Sequence, residues 1–154
     1  MKIENCKLQI NRGFTLIELL LVVIIVLTLG AMSAVFYSRF LTQNNVATIQ
    51  DKFLGSLRKA QMYSMMSRKS NTLPWGVHYE SNQITLFQGT SYGTRTTALD
   101  EKFTVANSII ISGVTDVIFA RTTGIPSASG TITITGPNST SKTITLNSQG
   151  VASR

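Results

Sequence analysis

From Leu19 to Tyr37 only Thr28 and Ser33 carry clearly polar side chains, so 19 consecutive positions are apolar or nearly so. A helix of that length crosses about 30 Å of hydrocarbon. Further along, Val46, Ile49, Phe53, Leu57 and Ala60 recur at steps of three and four, which is one face of a helix. No proline interrupts the chain through Leu73. The pattern therefore predicts a single helix from Phe14 to Ser70, roughly 85 Å long at 1.5 Å per residue. Its first half is apolar all round and its second half is amphipathic, so the second half must lie on a soluble domain. Gly30, Gly55 and the Asn44-Asn45 pair weaken it locally, each glycine by about 1 kcal/mol relative to alanine.

After "NTLPWG" the period changes. Thr, Ile, Val, Gly and Ser dominate, and short alternating runs predict strands at 76–79, 83–87, 103–111, 116–120, 131–135 and 142–147, with a loop over 88–102. The clearest alternation sets "TITIT" (131–135) against "KTITLN" (142–147) across "GPNSTS", whose residues are turn formers. Ile132 and Ile134 share one face of their strand and Ile144 and Leu146 one face of theirs, with the threonines turned out, so the two runs are expected to pair as an antiparallel hairpin. The expected fold class is α+β: one long N-terminal helix on a C-terminal antiparallel sheet domain.

Charge changes this picture little. The chain carries a net +7, of which Lys2, Lys7 and Arg12, less Glu4, place +2 in the first 13 residues. The remaining cations are scattered apart from Arg58-Lys59 and Arg68-Lys69, which reads as a solvated surface rather than a nucleic-acid stripe. The basic N-terminus orients the apolar segment with its start in the cytoplasm and the C-terminal domain outside. Cys6 is the single cysteine, so no intrachain disulfide can form and the domain must rely on its core.

One residue breaks the apolar segment. Glu18 is a lone carboxylate within its first turns, and an ionisable group at bilayer depth costs on the order of 2.5 to 3.5 kcal/mol on insertion scales. A carboxylate that reaches back to the cytoplasmic headgroups is the plain explanation. A secretory signal peptide is the plain explanation of the whole segment, with "GAMSA" (30–34) supplying small residues for a cut after Ser33. Against the latter, Glu18 sits where the apolar core of a signal peptide begins, and helix-compatible sequence continues past Ala34 without turn chemistry.

Taken together, Arg12-Gly13-Phe14-Thr15-Leu16-Ile17-Glu18 and the apolar helix after it resemble the leader and N-terminus of the type IV pilin superfamily, which includes the pseudopilins of type II secretion. The resemblance implies a cytoplasmic leader, 1–13, that prepilin peptidase removes by cutting between Gly13 and Phe14, with methylation of the new Phe14 amine. It implies a membrane and filament-core half-helix over 14–37, an amphipathic half over 38–73 and a β-rich globular domain over 74–154. It also gives Glu18 a role in filament assembly, neutralising the amine of Phe14 on the same or a neighbouring subunit. Such an amine is cationic near neutral pH, and either charge alone is costly inside a packed helix bundle. The implied partners are the peptidase, other pilin or pseudopilin subunits, an inner-membrane assembly platform and the membrane itself. No cofactor is implied, and removal of the leader takes Cys6 with it.

A second, weaker resemblance covers Phe119–Thr135 and Lys142–Arg154, which are similar to the H-type pseudopilins and FimT-type minor pilins, with Gly124-Ile125-Pro126 and Gly150 at the expected turns. It implies a minor subunit, the alternatives being a major pilin or a DNA-binding minor pilin for uptake. Some FimT-type proteins hold DNA through a basic Gly-Arg-x-Arg tail. Here Val151-Ala152-Ser153 follows Gly150, so only Lys142 and Arg154 remain as candidate contacts, and few phosphates would be neutralised.

Catalysis is not expected, because acid-base or nucleophilic chemistry needs convergent tuned groups and the chain offers one histidine. His78, in "WGVHYE", is expected to face the surface of a strand. Asp100-Glu101 is expected to cap a helix or sit in a solvated loop, with no set of oxygen ligands for a metal. The Asn138-Ser139-Thr140 sequon is expected to serve its turn, and Met62, Met65 and Met66 to pack the helix on the sheet.

Overall fold

The structure is a computed structural model that describes residues 13–67 and 73–154, apart from the side chains of 32–35. By its internal contacts the chain forms two compact units, Met1–Ser38 and Arg39–Arg154. Helix α1 (Leu16–Met65) supplies the whole described secondary structure of the first and the opening element of the second. The α+β layout of a type IV pilin, one long N-terminal helix followed by antiparallel sheet, is what the chain adopts.

The helix is shorter than the expected 14–70. It stops at Met65, with Ser67 in the left-handed region at φ 49°. The carbonyl of Ser64, one of the unpaired acceptors that every helix end leaves, takes the N–H groups of Ser67 and Thr122, both at 3.3 Å. Residues 68–70 of the expected helix lie outside the described residues.

Among the described residues eight strands follow: β1 (Trp75–Glu80), β2 (Gln83–Gln88), β3 (Glu101–Thr104), β4 (Ile110–Gly113), β5 (Asp116–Phe119), β6 (Gly130–Thr135), β7 (Ser141–Leu146) and β8 (Ala152–Ser153). They form two antiparallel sheets with orders β3-β2-β1-β5 and β4-β6-β7-β8. Ser81 and Asn82, at φ 49° and 60°, close the β1–β2 hairpin, since a two-residue loop matching the strand twist needs both positions left-handed. The β6–β7 hairpin pairs Ile132 with Ile144, as the alternation requires, and all four of its expected inward residues are buried.

The expected strand over 103–111 is two strands in different sheets. Its alternation of Phe103, Val105, Ile109 and Ile111 hides a turn at Ala106-Asn107-Ser108, where the Ile109 N–H reaches the Ala106 carbonyl at 2.9 Å. Val105 and Ile109 are buried at the two sides of that turn, so both apolar ends serve the core while the chain changes sheet. The expected loop over 88–102 is shorter at both ends, because Gln88 completes β2 and Glu101 opens β3. Between them lie two 3-10 turns, Tyr92–Thr94 and Thr97–Leu99.

All five residues of the predicted helix face, Val46, Ile49, Phe53, Leu57 and Ala60, are buried in one core with Trp75, Ile84, Leu86, Phe119 and Ile134. Three polar side chains of α1 are satisfied at this boundary. Ser64 Oγ accepts the Trp75 N–H at 2.8 Å and donates to its carbonyl, and Gln50 Nε2 donates to the Thr143 carbonyl at 2.7 Å. Gln61 Nε2 donates to the carbonyls of Gly124 and Gln149. A side chain at Gly150 would place its Cβ 2.4 Å from that nitrogen, which explains the glycine together with its φ of 84°.

Lys59 Nζ lies 2.5 Å from Glu101 Oε2, and this hydrogen bond, partly opposed by burial, raises the lysine above its usual range. Asp100 does cap a helix, standing at the C-cap of the 3-10 turn Thr97–Leu99 with its N–H on the Thr97 carbonyl at 3.2 Å, but the pair is not a solvated loop. Glu101 is the partner of Lys59, and the Asp100 side chain is 2 % exposed against Arg95 Nε at 2.9 Å. The methionines also differ from expectation. Met62, Met65 and Met66 are 46 %, 50 % and 63 % exposed, because the buried stripe continues through Tyr63 and Ser64 and leaves them off it. Met65 lies against Gly124, where an added Cβ would meet its sulfur.

Phe53 is 1 % exposed and Met62 is on the outer face. Phe53→Ala is expected to destabilise the full chain in detergent by about 3 to 5 kcal/mol, and Met62→Ala by less than about 0.5 kcal/mol, read from denaturant midpoints.

Candidate functional site

The N-terminal site is built on the first turn of α1. Gly13, Phe14 and Thr15 precede the helix, and Phe14 is 80 % exposed. Thr15 Oγ1 accepts the N–H of Glu18 at 3.3 Å, and the Thr15 carbonyl accepts the N–H of Leu19 at 3.1 Å, so Thr15 is the residue that caps the helix. Thr15-Leu16-Ile17-Glu18 therefore has the spacing of a capping box, with Glu18 at the third helical position. That role went unread in the sequence, although the signal, a threonine followed three residues later by glutamate before an apolar run, is there.

Glu18 is exposed and carries no ion pair among the described residues. It lies in the first turn, where the positive end of the helix dipole favours a carboxylate. Around it Leu16, Ile17, Leu19 and Leu20 are all more than half exposed, and so is every described side chain from 14 to 31 at least in large part. The helix is long and apolar enough to cross a membrane. It cannot present this surface to water without another apolar medium or another apolar helix to cover it.

The second pair of candidate residues lies in the globular unit. Lys142 is exposed on β7, and Arg154 follows β8. The fold brings them together along one cavity of about 390 Å³, with Gln50, Ser141 and Thr143. Arg154, however, pairs through Nη2 with Asp51 of α1. A duplex would have to displace that carboxylate, so of the two cations only Lys142 is available to a phosphate.

His78 differs from the expected surface histidine. Its ring stacks on Tyr92 with centroids 3.8 Å apart, while Nε2 faces Glu80 at 3.5 Å and Nδ1 faces Asp116 at 3.6 Å. Arg95 covers Tyr92 at 3.7 Å from the ring centre. This is a packed, charge-flanked stack that holds the 3-10 turn at Tyr92–Thr94 to β1. The two nitrogens point to carboxylates on opposite sides, an arrangement that cannot chelate one ion. The sequon residues Asn138 and Ser139 adopt left-handed backbone at φ 58° and 57° in the β6–β7 turn, where asparagine is well suited.

Residues 9–34 match the family model of the prokaryotic N-terminal methylation motif. No curated protein and no solved structure matches the chain. The matched segment contains Gly13, Phe14, Thr15 and Glu18 and gives the chain a type IV prepilin-like N-terminus. It supports the pilin and pseudopilin superfamily and a structural protein that is processed and joins other pilins.

The cap supports a separate expectation. Thr15→Ala is expected to cost the first turn about 1 kcal/mol, seen as faster amide exchange at Leu16–Leu19 in detergent, whereas Thr15→Asn is expected to keep the protection.

Proposed function

We propose that this chain is a minor pilin or pseudopilin subunit that waits in the bacterial inner membrane and enters a type IV pilus or type II secretion pseudopilus through its N-terminal helix. Prepilin peptidase cuts between Gly13 and Phe14 on the cytoplasmic side, and Phe14 receives the methyl group. The observation that carries this reading is the lone carboxylate, Glu18, near the start of an apolar run whose side chains over 14–31 are all exposed, inside the matched motif.

After the cut, the Phe14 amine and the Glu18 carboxylate stand four residues apart across the capped start of the helix, so each subunit brings both charges in one register. The helix moves from lipid to a bundle of like helices, two media of similar polarity, and hydrophobicity alone gives that transfer little drive. A carboxylate meeting an amine on a neighbouring helix supplies a directional term. Leaving either charge buried and unpaired costs about 3 to 5 kcal/mol. The globular unit, with its own core and its unpaired cations, then lies on the outside of the fibre. Arg154, occupied by Asp51, lends no support to DNA capture.

Glu18→Gln separates the charge from the cap, because glutamine retains the capping-box chemistry and the side-chain volume. Expressed with its partner subunits, the variant is expected to reach the membrane at the normal level and to be missing from sheared filaments or pseudopili. Incorporation equal to the parent chain would contradict the proposed charge match.

A further inference from the structure

Three contiguous cavities run along one side of α1 beside the β6–β7 turn. The first, about 330 Å³, is lined by Arg39, Gln43, Asn138 and Thr140. The second, about 570 Å³, shares Gln43, Asn138 and Thr140 and reaches Lys142. The third shares Lys142 and ends at Arg154. No aspartate or glutamate lines any of the three.

The charge balance of the globular unit sharpens this. Each of its carboxylates faces a basic nitrogen elsewhere: Asp51 with Arg154, Glu80 and Asp116 with His78, Asp100 with Arg95, and Glu101 with Lys59. Arg39 and Lys142 have no such partner among the described residues. The groove from Arg39 to Lys142 is therefore a row of cations and neutral amide and hydroxyl groups with no acid to balance it. A ligand that fits it is an anion with several acceptor oxygens, and a phosphate ester is the simplest.

Where the groove begins decides which phosphate. Arg39 is two residues beyond Tyr37, the end of the apolar run, so its backbone lies within about 7 Å of Tyr37 however the two units are arranged. Phe36, Tyr37 and Phe40 are exposed aromatics on either side of it, the composition of a membrane–water boundary. In a chain that spans the bilayer over 14–37, Arg39 stands at the headgroup layer of the non-cytoplasmic leaflet.

We propose that Arg39 and Lys142, with the amide and hydroxyl groups of the β6–β7 turn, bind the phosphate of an anionic phospholipid and hold the globular unit to the bilayer surface until the subunit is extracted. This rests on the membrane reading of the helix. Entry into a filament would then exchange headgroup contacts for contacts with neighbouring subunits, so headgroup binding opposes extraction.

The test uses the full chain in nanodiscs of phosphatidylcholine alone or with phosphatidylglycerol added, and native mass spectrometry of the lipids that remain bound after release. The parent chain is expected to retain phosphatidylglycerol in preference to phosphatidylcholine. Arg39→Gln and Lys142→Gln are each expected to lower that retention about five-fold, as for one cation near an anionic surface. Lys102→Gln, an exposed cation on β3, is expected to leave it unchanged. Equal retention of the two lipids, or undiminished retention in the Arg39→Gln/Lys142→Gln double variant, overturns the proposal. Displacement of the lipid by millimolar inorganic phosphate makes the groove a free-anion site and overturns the lipid assignment. So does a groove closed by a second copy, seen as crosslinks from Lys142 to another chain in discs that hold two. A chain that leaves the discs altogether overturns the membrane reading and this one with it, whereas loss of lipid preference with the chain still embedded overturns this one alone.

Discussion

An apolar helix surface that nothing among the described residues covers is the constraint from which the other features follow. The large hydrophobic side chains from Phe14 to Leu29 are between 46 % and 83 % exposed. Bilayer and helix bundle can both cover such a surface, and neither is much preferred by hydrophobicity alone. A single charge placed on that surface therefore has disproportionate influence on where the helix comes to rest. Glu18 is that charge, and its position in the first turn, held by the Thr15 cap, fixes its register relative to the residue that follows Gly13.

The same helix changes solvent along its length. From Val46 onward one face is taken into a core shared with both sheets, and the exposed face turns polar. The globular unit achieves this without cysteine, through dense aromatic and aliphatic packing such as Trp75 against Tyr63 at 5.0 Å, and through side chains of α1 that reach strand and loop carbonyls. Three of its side-chain carboxylates pair with arginine or lysine, the other two flank His78, and none lines the groove, which leaves an unbalanced positive surface beside the point where the apolar run ends. The proposed passage of the helix from lipid to filament and the proposed headgroup site at Arg39, two residues beyond the apolar run, are compatible parts of one extraction problem.

Local periodicity made the largest features legible in the sequence. The buried face of α1 and the β6–β7 hairpin each follow from spacing that a single element imposes, and five of the six expected strands agree with the structure to within one residue at each end. The misreadings arose where local signals compete. Alternation across Phe103, Val105, Ile109 and Ile111 concealed the Asn107-Ser108 turn, because both strands flanking it need inward apolar residues. The methionines carried a correct hydrophobicity and a wrong helical phase. His78 and Asp100 acquired their partners, Tyr92 with two carboxylates and Arg95, only through tertiary contacts that no spacing announces. The Thr15 cap was legible but was overshadowed by the longer motif that contains it. The two candidate cations, Lys142 and Arg154, do share a cavity, yet Asp51, 103 residues away from Arg154, decides what that arginine can do.

The mass of the mature N-terminus tests the central claim most directly. Intact-mass and N-terminal peptide analysis of the protein from membranes or sheared filaments is predicted to find a chain that begins at Phe14 with one methyl group on its amine. A chain beginning at Ala34, or one that still carries residues 1–13 within a filament, would remove the amine that Glu18 is proposed to meet and contradict the mechanism.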